Sequence, residues 1–503
     1  MTKYIMMMGT SSHVGKSILA AAFCRIFFQD GKKVAPFKAQ NMALNSYVTK
    51  LGDEMGRAQV MQAEAAKIDP DANMNPVLLK PTGNSSSQVI IMGKPIGTYS
   101  AKDYHEKIAK EAWEKVKTAI KNLSDEYDTI VIEGAGSPAE VNLKANDIVN
   151  MKVAKYLNAP VILIADIDRG GALASLVGTL ELLDDKERDL VKGLVINKFR
   201  GDITLLKPAI DFLEEKTKKP VLGVLPYIYK LQIDDEDSVS LNDKKDNINA
   251  KITIAIIRLP KISNFTDFDA LTDEEDVNII YAENPKEIDD ADLIILPGSK
   301  NTISDLLYIR QNGIEKKIRE KLKNKTPVIA VCGGYQMIGK TIKDPYNVES
   351  DLGKIEGLSL IDMNTIFNKE KHTSQVALKS NNISFLNINK SYKNLTGYEI
   401  HMGETVWNEK VNHPFMIISR NGENINEYEG ISSPLILGTY IHGMFDNDEF
   451  RTDLLNALRM KKGLSQVACV KSRKKIKEEN YNLLADIVRK NLDMEKIKEF
   501  IGD

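Results

Sequence analysis

Short apolar runs alternate with longer amphipathic stretches through the first half of the chain. Tyr4–Met8, Thr129–Ile132, Val161–Ala165, Gly193–Ile196 and Val221–Val224 are each bounded by polar, Gly or Pro positions, and helical-period segments separate most of them. That pattern predicts a parallel sheet with helices on both faces. The stretch Gln232–Lys251 (QIDDEDSVSLNDKKDNINAK) is polar, poor in aromatics and reads as a solvated linker. The α/β pattern restarts with Ile252–Ile257, Asp292–Leu296 and Val328–Val331, and further strands are predicted near Gln375–Leu378 and Leu435–Tyr440. We therefore expect a domain over residues 1–240, a second over 251–450, and a helical extension over 451–503. The basic run KSRKKIKEE in that extension is expected on a solvated surface.

Composition narrows the class. With 503 residues, 43% apolar and 27% charged, the chain is long enough for two or three globular cores. The formal charge of -2 advertises neither a nucleic-acid nor a membrane partner. No apolar run approaches the roughly 20 residues of a membrane helix. Cys24, Cys332 and Cys469 are too few and too scattered for a disulfide framework or a metal cluster. They suit a reducing cytoplasm and leave room for one reactive thiol.

The run GTSSHVGKS, Gly9 to Ser17, follows a predicted strand and opens a predicted helix. This is the setting of a phosphate-binding loop. Backbone N–H groups around Gly9, Thr10 and Gly15 would face phosphate oxygens. Lys16 would place its cation on the β- and γ-phosphates of ATP, and the Ser17 hydroxyl would hold Mg²⁺. Thr10 stands where the usual pattern has Gly, the glycine having moved to Gly9. Glu133, at the end of a predicted strand, is the expected second oxygen ligand for the metal, ahead of Asp53 and Glu54. The loop resembles that of dethiobiotin synthetase-like ligases, which phosphorylate a carboxylate. In related P-loop proteins an Asn at the place of Asn197 contacts the base; a turn-forming Asn is the alternative. A partitioning-type ATPase would carry Lys where Ser11 stands.

In VIAVCGGYQ, Val328–Gln336, a buried strand runs into Cys332, two glycines and a predicted helix. This is the pattern of a nucleophile elbow, with a helix start that favours the thiolate. Of the six histidines (13, 105, 372, 401, 413 and 442), His442 follows a predicted late strand and is the expected base. The pairing resembles class I glutamine amidotransferases, in which the Cys attacks the glutamine amide and releases ammonia. Gly298, Ser299 and the Gly333 N–H are the expected oxyanion donors. Members of that class follow the His with Pro-Glu, whereas Gly443-Met444 follow here. A Cys–His dyad is expected, its orienting group unassigned. Glu399 and His401 in YEIHMG alternate, so both can face one side of a strand, lining the glutamine site, the site of the ammonia acceptor or a domain interface. His401 is the fallback base.

The polar segments Lys38–Ser46 (KAQNMALNS), Glu54–Gln62 (EMGRAQVMQ), Asn75–Pro81 (NPVLLKP) and Ala165–Gly171 (ADIDRGG) read as polar loops. Lys38, Gln40, Asn41, Asn45, Asp168 and Arg169 are their candidates for holding a substrate rich in carboxylates and amides. Asp166 and Asp168 could bind metal or orient Arg169. With the two sites above, these motifs resemble the cobyric acid synthase family over nearly the whole chain. The resemblance implies an N-terminal P-loop domain and a C-terminal class I glutamine amidotransferase-like domain, both α/β. It implies ATP- and glutamine-dependent amidation of adenosylcobyrinic acid a,c-diamide at the b, d, e and g carboxylates, through acyl phosphates. The nearest alternative, cobyrinic acid a,c-diamide synthase, carries a different loop in place of KAQNM.

Overall fold

The structure, a computed structural model, describes residues 2–83, 85–229, 231–234, 241, 247, 250–380, 383–388, 390–408 and 410–502. The chain divides into two compact units, and neither is continuous in sequence. The first comprises Met1–Ala43, Met55–Asp234 and Ile476–Asp503; the second comprises Leu44–Glu54 and Asp235–Lys475.

The first unit is built on a six-stranded parallel sheet. Its order is Val221–Pro226, Val191–Phe199, Val161–Asp166, Lys3–Gly9, Thr129–Glu133, Val34–Phe37. The inner strands are near-continuous apolar runs because helices cover both faces. The edge strand Val34–Phe37 lies outside the sequence expectation. Register sets Met7 beside Glu133, Gly9 beside Ile164 and Asp166 beside Asn197. The loop residues that follow thus share the carboxyl edge, where open α/β sheets receive ligands. A second sheet pairs Gln40–Met42 parallel to Val77–Pro81, followed by the antiparallel strands Ser86–Ile91 and Lys94–Ser100. KAQNM and NPVLLKP are therefore partly strand, where the sequence pattern suggested loops; the strands are short and their polar ends mask them.

The basic run is solvated only in part: Lys471, Lys474, Lys475 and Glu479 are exposed, whereas Arg473 and Lys477 are buried. The helices Arg473–Asn491 and Met494–Ile501 bury Tyr481, Leu484, Val488 and Ile497 in one cluster with Phe23, Ile26 and Phe27 of the helix Lys16–Gln29. Lys477 pairs with Asp234 at 2.9 Å and Glu64 at 3.0 Å, and Arg57 meets Asp234 at 2.6 Å. The charges are buried because they satisfy one another. Asp234, the last described residue before most of the expected linker, is accordingly buried.

The second unit has a parallel sheet ordered Val277–Ala282, Ile252–Ile257, Leu293–Leu296, Val328–Val331, Ile436–Thr439, with Ile431–Ser432 antiparallel at its edge. The predicted strand Gln375–Leu378 belongs elsewhere. It lies inside Met363–Ser380, which pairs antiparallel with Leu395–Trp407 and Phe415–Arg420. Val376, Leu378 and Ser380 alternate buried with half-buried neighbours, as a one-faced antiparallel strand does. Among the described residues no helix is long and apolar enough to cross a membrane.

Candidate active sites

In the first unit, Gly15 adopts φ 99°, and a Cβ there would lie 2.2 Å from the Asn197 amide nitrogen. Only glycine fits such a turn. Asn197 Nδ2 donates to the Val14 carbonyl at 2.8 Å, and Lys198 Nζ donates to the His13 carbonyl at 2.7 Å. The strand end after Val191 thereby braces the loop from outside. Lys16 Nζ donates to the carbonyls of Ser11 (2.9 Å) and Gly136 (3.1 Å), which curls it back over the loop. The Thr10 N–H is committed to the Ile164 carbonyl at 2.9 Å, so it continues the sheet.

Glu133 is the hub of this site. It is fully buried, and its Oε1 accepts from Ser17 Oγ and from Lys38 Nζ, each at 2.8 Å. Its Oε2 accepts from Gln62 at 2.6 Å and Gln59 at 3.3 Å. A buried carboxylate demands such partners. Two hard oxygens from Ser17 and Glu133, side by side at the start of the loop helix, suit a magnesium ion. Beside them, a cavity of about 440 Å³ is lined by Gln40, Gly136, Ser137, Lys144, Asn150 and Lys152, among others. Gly136 is common to the cavity wall and the Lys16 contact.

In the second unit, Cys332 ends the strand Val328–Val331 with φ 50° and ψ −107°. A non-glycine residue held there is strained, a geometry kept where a nucleophile is presented on a sharp turn. The turn closes because Gly333 and Gly334 follow. A Cβ on Gly334 would stand 2.2 Å from the Leu296 carbonyl oxygen, and one on Gly333 would stand 2.8 Å from the Ser299 nitrogen. Gly333 and Ser299 are thus in direct apposition. The Ile262–Ser299 bridge is carried by Ser263 N to Gly298 O and Lys300 N to Lys261 O, so it does not draw on the Ser299 N–H.

His442 is buried and close enough to Cys332 to feel its charge, while Cys332 Sγ itself donates to the Ile400 carbonyl at 3.4 Å. Its Nδ1–H donates to Asp267 Oδ2 at 2.6 Å, and the Gly443 N–H donates to Asp267 Oδ1 at 3.0 Å. Burial alone would depress the imidazole pKa, but Asp267 and Cys332 outweigh it and raise it to about 10. The Tyr398 ring stacks on His442 at 5.2 Å. A thiol that passes its proton to an imidazole oriented by a carboxylate can attack a carbonyl carbon, and the imidazolium so formed can protonate the leaving group.

Two family models cover most of the chain. A CobQ/CobB/MinD/ParA nucleotide binding domain matches residues 5–240, and a CobB/CobQ-like glutamine amidotransferase domain matches residues 253–450. A cobyric acid synthase of Desulfitobacterium hafniense is 51% identical over 99% of this chain and 98% of its own. One of Carboxydothermus hydrogenoformans is 50% identical over the full length of both, and one of Clostridium tetani is 50% identical over 99% of each. The chain belongs to the cobyric acid synthase family. It is a glutamine-hydrolysing ligase with a P-loop nucleotide-binding domain and an amidotransferase domain.

Within this cobyric acid synthase family member, the structure gathers Gly9, Gly15, Lys16, Ser17, Glu133, Lys38 and Asn197 at one sheet edge. Gln40 lines the cavity, where its Oε1 accepts from Tyr104 at 2.5 Å. Asn41 is buried and braces Gln59 at 3.2 Å, facing the framework. Asp168 pairs with Arg200 at 2.8 Å and does not orient Arg169. Arg169 is largely exposed, with Asp166 at 3.8 Å, and Asp166 is held by Lys198 at 2.9 Å.

Asn45 belongs to the second unit, where its Oδ1 accepts from the Phe265 N–H at 3.1 Å. Glu54 leaves the list of metal candidates, because it is buried in the second unit against Lys371 at 2.5 Å. Asp53 lies in the same segment. Glu399 and His401 do share a strand face, opposite Ser374 and His372. Glu399 pairs with Arg420 at 3.0 Å; burial opposes its ionisation, but His401 and Arg420 hold its pKa down to about 2. His401 Nδ1 is turned to the Gly403 carbonyl at 2.8 Å, and its Nε2 lies 3.9 Å from Glu399 Oε1, whereas Asp267 meets His442 at 2.6 Å. Sequence reasoning missed Asp267, Gln59 and Gln62. The available signal for Asp267 was its place just beyond the predicted strand Ile252–Ile257.

Proposed function

We propose that the chain amidates adenosylcobyrinic acid a,c-diamide at the b, d, e and g carboxylates, giving adenosylcobyric acid at the expense of ATP and glutamine. The observation that carries this is full-length likeness to cobyric acid synthases combined with two complete constellations, Lys16–Ser17–Glu133 and Cys332–His442–Asp267.

A carboxylate oxygen of the corrinoid attacks the γ-phosphorus, ADP leaves, and an acyl phosphate forms. Ammonia then attacks the acyl carbon, the C–O bond breaks, phosphate departs and the nitrogen loses a proton. Lys16 offsets the charge that gathers on the transferring oxygens. Ser17 and Glu133 would hold magnesium, which would supply further charge neutralisation. Lys38, on Glu133, stands ready to meet the incoming carboxylate. The cavity beside Gly136 takes the acid side chain in this reading.

Glutamine supplies the ammonia. Cys332 Sγ attacks the amide carbon as its proton passes to His442, and the N–H groups of Ser299 and Gly333 receive the oxyanion with Gly298 shaping the turn. His442 gives its proton to the departing nitrogen, and water hydrolyses the thioester to glutamate. Asp267→Asn is expected to slow glutamate release about a hundredfold. The same variant moves the alkaline limb of the pH profile downward, because His442 loses the anion that holds its proton. A profile unmoved in position would remove Asp267 from the mechanism.

Incubation with cobyrinic acid and, separately, with its a,c-diamide, followed by mass counting of amides, tests the substrate. Amides should accumulate on the a,c-diamide at the b, d, e and g positions. Efficient amidation of the undecorated acid at a and c would overturn the assignment.

A further inference from the structure

The segment Leu44–Glu54 leaves the first unit after Gln40–Met42, packs in the second unit, and returns directly into the helix Arg57–Ala65. Its flanks carry Lys38 on one side and Gln59 and Gln62 on the other, all of them donors to Glu133. Within the second unit the segment grips the residues just before the triad acid. Asn45 Oδ1 accepts from Phe265 N at 3.1 Å, and Asn264 Oδ1 accepts from Ser46 N at 3.0 Å. Each asparagine side chain thus holds the other strand's backbone. Both are buried, and Asn264 is in the left-handed region at φ 52°. Phe265–Phe268, the short turn that follows, contains Asp267.

A second set of contacts reaches the base. Tyr398 OH donates to the Ser46 carbonyl at 3.4 Å, the Tyr47 ring lies 5.1 Å from the Tyr398 ring, and Tyr398 stacks on His442. Gln375 Nε2 on Val48 O and the buried Glu54–Lys371 pair fix the segment to the same sheet. Residues 45–54 therefore touch both the turn that presents Asp267 and the ring that backs His442.

We propose that Asn45 is a positioning residue for glutamine hydrolysis: with Asn264 it clamps the turn that sets Asp267 against His442. The clamp lies in the second unit, within the stretch of sequence between Lys38 and Gln59. This rests on reading Cys332, His442 and Asp267 as the glutaminase.

The test compares Asn45→Ala and Asn264→Gly with the unsubstituted protein, using glutamine or ammonium chloride as nitrogen source. Asn264→Gly keeps the left-handed backbone available while deleting the acceptor. Loss of a buried acceptor misplaces the turn, and small misplacements at a reacting centre are costly. Both variants should lower kcat for glutamate release about tenfold to a hundredfold, with KM for glutamine little changed. Ammonia-driven amidation and the KM for the corrinoid should remain as before. The alkaline limb of glutamate release should move to lower pH, because Asp267 and Cys332 are the charged groups that face His442, and Tyr398 covers its ring. Equal loss with both nitrogen sources, or a raised corrinoid KM, would return Asn45 to the substrate site and overturn the proposal. So would a lowered kcat with an unmoved pH limb. Failure of the underlying reading shows separately, as glutamine use that survives Cys332→Ala.

Discussion

Replacing Cys332 by Ala should abolish glutamine-dependent amidation while leaving amidation from ammonium salts intact. Among the described residues this thiol is the one placed to form a thioester: it ends a parallel strand, sits at φ 50°, and lies beside His442. Alanine keeps the Cβ and occupies the same strained backbone, so the turn and its glycine contacts persist. What disappears is the nucleophile, and with it at least about a thousandfold of rate. Glutamate release and amide incorporation, each measured with both nitrogen donors, read the two halves separately. Undiminished glutamate release would remove Cys332 from the chemistry.

The complementary expectation is that Lys16→Ala eliminates amidation from either nitrogen donor. Lys16 is buried, and its ammonium is curled onto the carbonyls of Ser11 and Gly136. Those contacts place the cation over the loop before nucleotide arrives, so little reorganisation is needed when phosphate charge develops. Losing such a preorganised charge costs about 10²–10³ in rate. Corrinoid-dependent ATP hydrolysis should fall by a similar factor, while Ser17 and Glu133 keep their 2.8 Å contact. Normal ADP formation in this variant would place the phosphate site elsewhere.

Much of this was legible before the structure. A strand, a glycine-bearing loop and a helix are local features, so GTSSHVGKS and VIAVCGGYQ announce themselves. Glu133 and His442 were legible because a polar residue at the carboxyl end of an apolar strand has one obvious place to go. Asp267 was not, since 175 residues separate it from His442 and its turn SNFTDFD has no periodic signal. The backbone contact of Asn45 was hidden for a related reason: an amide in a polar loop looks the same whether it binds ligand or clamps backbone. Lys477 of the basic run was misread because its burial depends on Glu64 and Asp234, which neighbour it only after folding.

The return of residues 476–503 to the first unit has an evolutionary corollary. Severing the gene at the linker would strand the aromatic patch of Phe23 and Phe27 without Tyr481 and Val488, its companions from the far terminus. Neither unit can be excised or exchanged through a single cut in the gene, because each is assembled from more than one stretch of chain.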